Sequence, residues 1–356
     1  MEQAKQCAVV GYGHMGKKIS EILRQLGCEI LLIDPNLKAF PHQALYSPDV
    51  KTYTAIDELL MENNSNANAR NVKAWFICTP TATHFQIFSK IINALPGAKI
   101  MIEKPLCSKE QLNEFDFFKV SHPLKVRNVC INNHYIDCEN LKNASSFLRE
   151  NNFSCRKISI DFCKDRLPDV VTGRYIDEDF MIWGYEGFHM LHIAAQLILN
   201  KEEVEAFINM QGRFRYFKGN DKQISWVAEY GKLETGLVVL LRTATDGSVF
   251  SPTFQKSILK RQQRMRRVNA SLNNGIGLSL TFAESRSRGF SAEQDYYFGW
   301  QSCQEKHGYW KHDNPLKKHI ENFLAREEIG SALAQGYFIL KRRCNVSRPY
   351  LQYRSA

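Results

Sequence analysis

Ala8-Val9-Val10-Gly11-Tyr12-Gly13-His14-Met15-Gly16 is the stretch on which the fold turns. Its first three residues form a short apolar run. The glycines then fall at GxGxxG spacing, and helical periodicity begins at once, with Met15, Ile19, Ile22, Leu23 and Leu26 at three- and four-residue intervals. Gly27 is a natural helix stop. Glu29 to Ile33 is a second apolar run, ending in Asp34-Pro35-Asn36. Strand, glycine turn, helix and strand in this order make a βαβ unit. Each part has a physical task. Gly11 permits the tight turn, Gly13 lets the backbone approach a pyrophosphate, and Gly16 lets helix and strand pack closely. The helix start, with His14 and Met15 in its first turn, presents N–H groups and partial positive charge to phosphates. Asp34 suits a ribose hydroxyl. Its charge repels a 2′-phosphate and no Arg follows directly, so NAD(H) is favoured, with NADP(H) left open.

The alternation continues down the chain. Asp57 to Leu60 reads as helix, and Lys73 to Cys78 as a buried strand ending in Thr79-Pro80-Thr81. His84 to Ala94 reads as an amphipathic helix, and Lys99 to Ile102 as a strand ending in Glu103-Lys104-Pro105. A helix opens at Ser108, and Lys125 to Ile131 reads as a sixth strand. The Asn-rich stretch 62–71 reads as an exposed loop. Such alternation predicts an α/β Rossmann domain, a doubly wound parallel sheet with helices on both faces. Further on, Lys157 to Cys163, Val204 to Phe217, Ile224 to Glu229, Leu233 to Arg242 and Leu278 to Ala283 look like strands with few helices between them. Gly231-Lys232 and Asp246-Gly247 are turn candidates. This predicts an α+β domain with a large, mostly antiparallel open sheet. The open face of such a sheet is expected to self-associate. Two helices, Pro315 to Arg326 and Ile329 to Arg343, are expected at the end and to pack back toward the first domain. The expected boundary lies near residues 125–145, giving a dinucleotide-binding domain at 1–130 and a substrate and oligomerisation domain at 131–356.

Composition bounds the partners. The chain has 356 residues, which at roughly 150 per domain suggests two. Hydrophobic residues are 44% and charged residues 24%, a globular rather than a disordered balance. The ten cysteines contain no CxxC pair, so no zinc ribbon or thioredoxin-like site is expected. No apolar run approaches the ~18 residues that span a bilayer, and the opening Met-Glu-Gln-Ala-Lys lacks a signal-like apolar region. A cytoplasmic setting with reduced, buried cysteines is expected, with no membrane partner. Lys plus Arg is 47 against 37 acids, a formal net charge of +10. Much of this charge lies in the run from Lys256 to Arg267, which has no aromatic interleaving and no accompanying nucleic-acid motif. It reads best as an exposed loop or helix face, ahead of a strip for an anionic ligand, with nucleic acid disfavoured.

Four features together resemble one family: the glycine loop ending in Asp34-Pro35-Asn36, Cys78-Thr79-Pro80 with His84 downstream, Glu103-Lys104-Pro105, and the helix Pro315 to Ala325. In order and spacing the sequence is similar to the glucose-fructose oxidoreductase / inositol dehydrogenase / rhizopine catabolism superfamily. The Glu-Lys-Pro triplet after a strand is the most specific match. The resemblance implies an active site between a Rossmann domain and an open-sheet domain, and reversible oxidation of a hydroxyl on a sugar, sugar derivative or cyclitol. It implies cofactor contacts from Gly11, Gly13, His14, Met15, Gly16, Asp34, Thr79, Pro80, His84, Glu103 and Lys104. It also sets Lys104 beside the nicotinamide and the substrate hydroxyl, where an ammonium orients the hydroxyl and stabilises alkoxide charge. Homodimers or homotetramers are implied too.

The second-domain motif of this family, Asp-x-Gly-x-His-x-x-Asp, aligns with Tyr185-Glu186-Gly187-Phe188-His189-Met190-Leu191-His192. Gly187 and His189 match. The first Asp is replaced by Tyr185 and the last by His192, while an acid stands one position on, at Glu186. At about 100° per residue, Tyr185, His189 and His192 share roughly 60° of a helix face. His189 is therefore the candidate base, since imidazole titrates near neutrality. Glu186 or Tyr185 is the candidate to orient it or to contact substrate, and His192 is a further substrate-side candidate. The spacings Glu186-x-x-His189 and His189-x-x-His192 also suit a metal, but no further His or Cys cluster supports one. Lys164, Arg166 and Arg174 are candidates for binding an anionic group on the substrate. Loss of the family Asp keeps an alternative open: a catalytically altered dinucleotide-binding sensor or scaffold protein of the same fold.

Overall fold

A computed structural model of the chain describes residues 5–37, 49–61, 71–108, 110–164, 171, 186–209, 213–218, 224–244, 248–250, 256–258, 264–282 and 294–326. The chain forms two compact units. One runs to Asn132 and takes in the chain again from Lys317; the other comprises Asn133–Leu316.

The first unit is built on strands β1 (Lys5–Val10), β2 (Cys28–Ile33), β3 (Val50–Tyr53), β4 (Val72–Ile77), β5 (Ile100–Ile102) and β6 (Val129–Ile131). They lie in the order β3-β2-β1-β4-β5-β6, and every pairing is parallel. Parallel strands are covered on both faces, so their centres are apolar without alternation. Cys7 to Val10, Ile30 to Ile33 and Ala74 to Ile77 are all buried. Helices α1 (His14–Gln25), α2 (Ile56–Met61), α3 (Thr81–Ala94) and α4 (Leu112–Ser121) connect them. The strand order reverses between β1 and β4, and ligands of such sheets bind at the carboxyl ends of the strands there.

Local corrections have local causes. β3 escapes the sequence reading because it has four residues with an exposed centre, Lys51 and Thr52. The sixth strand is shorter than expected because turn bonds from Lys125 to His122 and from Val129 to Val126 occupy its first half. Ser108 does not open α4. Its amide bonds the Gln111 side chain at 3.1 Å, and the helix proper starts at Leu112. The later helix α8 (Pro315–Ala325) belongs to the first unit from Lys317 onward. Phe323 packs edge-on against Phe76 at 5.6 Å, and Lys99 Nζ donates to the carbonyl of Leu324 at 3.3 Å. Residues 62–70, Ile329 to Arg343 and Asp246-Gly247 lie outside the described residues.

The second unit contains β7 (Cys155–Lys164), β8 (Arg213–Lys218), β9 (Ile224–Lys232), β10 (Val238–Ala244), β13 (Arg264–Leu272), β14 (Gly277–Phe282), β15 (Gln294–Gln301) and β16 (Lys306–Asp313). They form one sheet in the order β16-β15-β14-β13-β7-β10-β9-β8. Its pairings are antiparallel apart from β7 with β10. A two-stranded ribbon, β11 (Ser248–Phe250) with β12 (Lys256–Ile258), completes the described strands. Helices α5 (Glu139–Glu150) and α6 (Phe188–Leu197) pack on one face. There Ile158, Ile160, Phe162, Val239, Leu241, Val268, Leu278 and Leu280 form the core. On the opposite face Arg267, Asn269 and Ser271 are exposed, and Ser279 donates to Asn269 at 2.9 Å.

Three expectations are corrected here. Val204 to Phe217 is not one strand but helix α7 (Lys201–Asn209) followed by β8. Asn200 caps the Glu203 amide at 2.9 Å, and Glu202 and Glu203 complement the helix start. Gly231-Lys232 lies inside β9, and the turn falls at Leu233 to Leu237, where Gly236 supplies a φ of +92°. The basic run contributes strand β12 and the start of β13 rather than a loop or helix face. Period-two alternation buries Arg266 and exposes Arg267.

Candidate dinucleotide and catalytic sites

The glycine turn of the first unit separates two kinds of requirement. A β-carbon at Gly16 would fall 1.9 Å from the Gly11 carbonyl oxygen, and one at Gly11 would meet the Cys78 and Thr79 backbone at 2.9 Å. These two glycines are demanded by the protein itself, Gly11 also by its φ of +92°. At Gly13 a β-carbon would meet nothing within 4 Å. The space there faces the start of α1, where no side chain caps the helix. A dinucleotide pyrophosphate fits such a cradle, with its charge at a helix N-terminus beside His14 and Met15.

Asp34 sits at the end of β2 and is buried. One carboxylate oxygen accepts from the Tyr12 amide at 2.7 Å and the other from the Asn36 amide at 2.8 Å. These charge-assisted bonds fix the acid against the glycine turn. The link to Tyr12 was not read from the sequence.

Thr79 and Pro80 open α3, with Pro80 at the cap. His84, one turn in, is 1% exposed. Its Nε2 lies 2.7 Å from the Thr79 carbonyl and its Nδ1 2.8 Å from that of Pro105. Burial pushes its pKa down while these carbonyls pull it up. His84 thus ties the Thr79-Pro80 turn to the Lys104-Pro105 turn, whose peptide bond is cis. Glu103 is buried and accepts from the Asn132 side chain. Burial raises its pKa, against the lowering pull of Asn132 and Lys104. Lys104, which follows it, is half-buried.

The second unit holds its own cluster. His189 is 4% exposed on α6. Its Nδ1 lies 3.0 Å from the Asn133 side-chain oxygen, and its ring meets Tyr135 edge-on at 4.8 Å and His134 at 5.3 Å. Glu186, just ahead of α6, has both oxygens on Arg266 Nη2, at 2.8 and 3.0 Å. Arg266 also donates to the Tyr135 hydroxyl, and its guanidinium carbon lies 5.4 and 5.5 Å from the ring centres of Tyr135 and Phe162. His192 is buried with its ring 4.5 Å from Phe188, and its Nε2 has no partner among the described residues. Burial lowers its pKa to about 4, so it is neutral near pH 7. Lys164 ends β7, opposite Arg264 in register and half-buried. On the other face of the sheet Asp161 pairs with Arg242, both buried. Tyr185, Arg166 and Arg174 lie outside the described residues.

Asn133, Tyr135 and Arg266 were missed from the sequence. A polar cluster, Asn132-Asn133-His134, directly after β6 was the available signal for Asn133. Alternation within an unrecognised strand was the signal for Arg266. Among the described residues no three His, Cys, Asp or Glu side chains are grouped to hold a metal, and no helix is long and apolar enough to cross a membrane.

Residues 5–117 match the family described as oxidoreductase family, NAD-binding Rossmann fold, GFO_IDH_MocA. The likeness to that oxidoreductase family lies in this first, dinucleotide-binding part of the chain. No curated protein sequence matches. Solved structures extend the likeness in fold over both units. UDP-N-acetylglucosamine 3-dehydrogenase GnnA from Acidithiobacillus ferrooxidans is 16% identical, covers 97% of each chain and has a TM-score of 0.66. KijD10, a 3-ketoreductase from Actinomadura kijaniata in complex with NADP and TDP-benzene, is 11% identical, with 97% of this chain and 96% of that one covered and a TM-score of 0.65. A myo-inositol dehydrogenase from Corynebacterium glutamicum is 11% identical, with 96% and 95% covered and a TM-score of 0.64. At these identities the likeness is one of fold.

Proposed function

We propose that this chain is an NAD(H)-dependent oxidoreductase that moves a hydride reversibly to or from a hydroxyl or keto carbon of a sugar, sugar derivative or cyclitol. The observation that carries the reading is the Asp34 carboxylate, held by the Tyr12 and Asn36 amides beside the open space at Gly13. That arrangement suits a ribose diol next to a pyrophosphate and repels a 2′-phosphate, which favours NAD(H). The KijD10 structure contains NADP, so the preference is a property proposed for this chain's Asp34. The substrate class is supported by the neighbours' names, a nucleotide-sugar dehydrogenase, a 3-ketoreductase and an inositol dehydrogenase.

When bound, the nicotinamide supplies or accepts the hydride. Lys104 orients the substrate hydroxyl and stabilises negative charge as it develops on oxygen. His189 holds the hydroxyl proton in the oxidative direction and returns it in the reductive one. Glu186 serves through Arg266, anchoring the start of the helix that carries His189. Thr79, Pro80, His84 and Glu103 shape the turns around Lys104. Lys164, Arg166 and Arg174 are assigned to an anionic substrate group, and neutral His192 to the substrate side of α6.

Fluorescence titration with NADH and NADPH, followed by turnover across nucleotide sugars, hexoses, sugar acids and inositols, tests the proposal. NADH is expected to bind the more tightly, and at least one substrate to change the absorbance of the reduced nicotinamide. Absence of dinucleotide binding overturns it. Dinucleotide binding without turnover across the panel overturns the catalytic reading in favour of a dinucleotide-responsive binding protein.

A further inference from the structure

We infer that Asn133 sets the tautomer of His189, its amide oxygen accepting from Nδ1–H so that Nε2 is the unprotonated nitrogen. The inference deepens the reading of His189 as the proton carrier and rests on it. The two side chains are 3% and 4% exposed and meet at 3.0 Å through Asn133 Oδ1 and His189 Nδ1. In a buried imidazole, the hydrogen bond made by one nitrogen decides which of the two carries the proton. An amide oxygen can only accept, so Nδ1 is the donor and Nε2 keeps the lone pair.

The acid nearest in sequence, Glu186, is bonded to an arginine. Both oxygens of Glu186 lie against Arg266, and Arg266 is fixed in turn on Tyr135. Tyr135 and His134 pack edge-on against the His189 ring and hold its plane. Asn133, His134 and Tyr135 from the segment after β6 and Phe188 from its own helix meet the imidazole, while Arg266 from β13, bonded to Tyr135, offsets the charge of Glu186. A neutral amide fixes the tautomer without the charge that would favour the imidazolium. Asn133 is therefore a positioning residue that aims His189 through Nε2.

The full chain, labelled with nitrogen-15 histidine, tests this by long-range proton–nitrogen correlation spectra, with His189→Gln assigning the signal. These spectra read the tautomer without turnover, so failure of this inference is distinguishable from failure of the oxidoreductase reading. The expected result is a protonated Nδ1 and a bare Nε2 in the parent protein. Asn133→Ala should move His189 to the Nε2–H form or to a mixture. The near-isosteric Asn133→Asp should keep Nδ1–H and raise the titration midpoint of His189 by about 1–3 pH units, the effect of an adjacent opposite charge. An Nε2–H parent, an unchanged tautomer in Asn133→Ala, or an unmoved midpoint in Asn133→Asp would overturn the inference.

Discussion

Arg266 and Glu186 form a buried two-point ion pair, with both carboxylate oxygens within 3.0 Å of one guanidinium nitrogen. It joins β13 to the entrance of α6. Removing one partner of such a pair strands a charge away from water. Arg266→Met is expected to destabilise the protein by about 3–5 kcal/mol, and the double variant with Glu186→Gln by clearly less. Urea unfolding of the two single variants and the double variant gives the coupling directly. Additive costs would show that the pair contributes no coupling.

Gly13 and Gly16 should separate binding from folding. Gly16→Ala drives a β-carbon into the Gly11 carbonyl oxygen, so the turn or α1 must shift and thermal stability should fall. Gly13→Ala meets open space in the free protein. Its cost to stability should stay within about 1 kcal/mol, that of a less favoured helix cap, while dinucleotide affinity falls at least about tenfold. Calorimetry with and without NADH distinguishes the two.

His192 should make the fold acid-sensitive in a defined window. Its pKa is lowered to about 4 in the folded chain, against an ordinary value of 6.5. The unfolded chain therefore binds the proton first, and stability falls as pH drops from the ordinary value to the lowered one. The loss attributable to His192 is on the order of 3 kcal/mol. Glu103 and Asp161, whose pKa values burial raises, act with the opposite sign. Comparison of His192→Leu with the parent cancels them. The variant should lose most of this acid-side slope, and an unchanged slope would refute the assignment.

Lys99 should hold the last described helix to the first unit. Its ammonium reaches the carbonyls of Leu324 and Arg326 and lies 5.2 Å from the Phe323 ring centre. A cation there also complements the helix C-terminus. Lys99→Met should cost about 1 kcal/mol and raise amide exchange across Pro315–Ala325 more than across β1 and β4. Uniform exchange would show that the buried side chains Ile320 and Phe323 hold the helix without Lys99.

Legibility followed the distance over which each signal acts. Cys7 to Val10 and Ala74 to Ile77 announced parallel strands because burial on both faces leaves unbroken apolar runs. β13 was hidden by the opposite effect. Its arginines look like surface charge until the sheet around them exists, and Arg266 finds Tyr135 and Glu186 at separations of 131 and 80 residues. β15 and β16 were hidden because the turn that joins them, Ser302 to Glu305, is closed by a serine side chain and carries no Gly, Pro or Asn-Gly signal. Val204 failed as a strand because the Asn200 cap, a local signal, outweighed the apolar pattern.

By itself the sequence determined the glycine turn, the strand ends that carry Asp34 and Lys104 and the helix that carries His189, because these depend on backbone conformation and spacing within short segments. The tertiary structure alone decided what those groups lean on. Asn133 meets His189 across 56 residues, and Arg266 bonds both oxygens of Glu186 across 80. The physical reason is burial. A charged or hydrogen-bonding side chain must find its partner wherever the fold supplies one, and strand register rather than sequence spacing decides which partner that is.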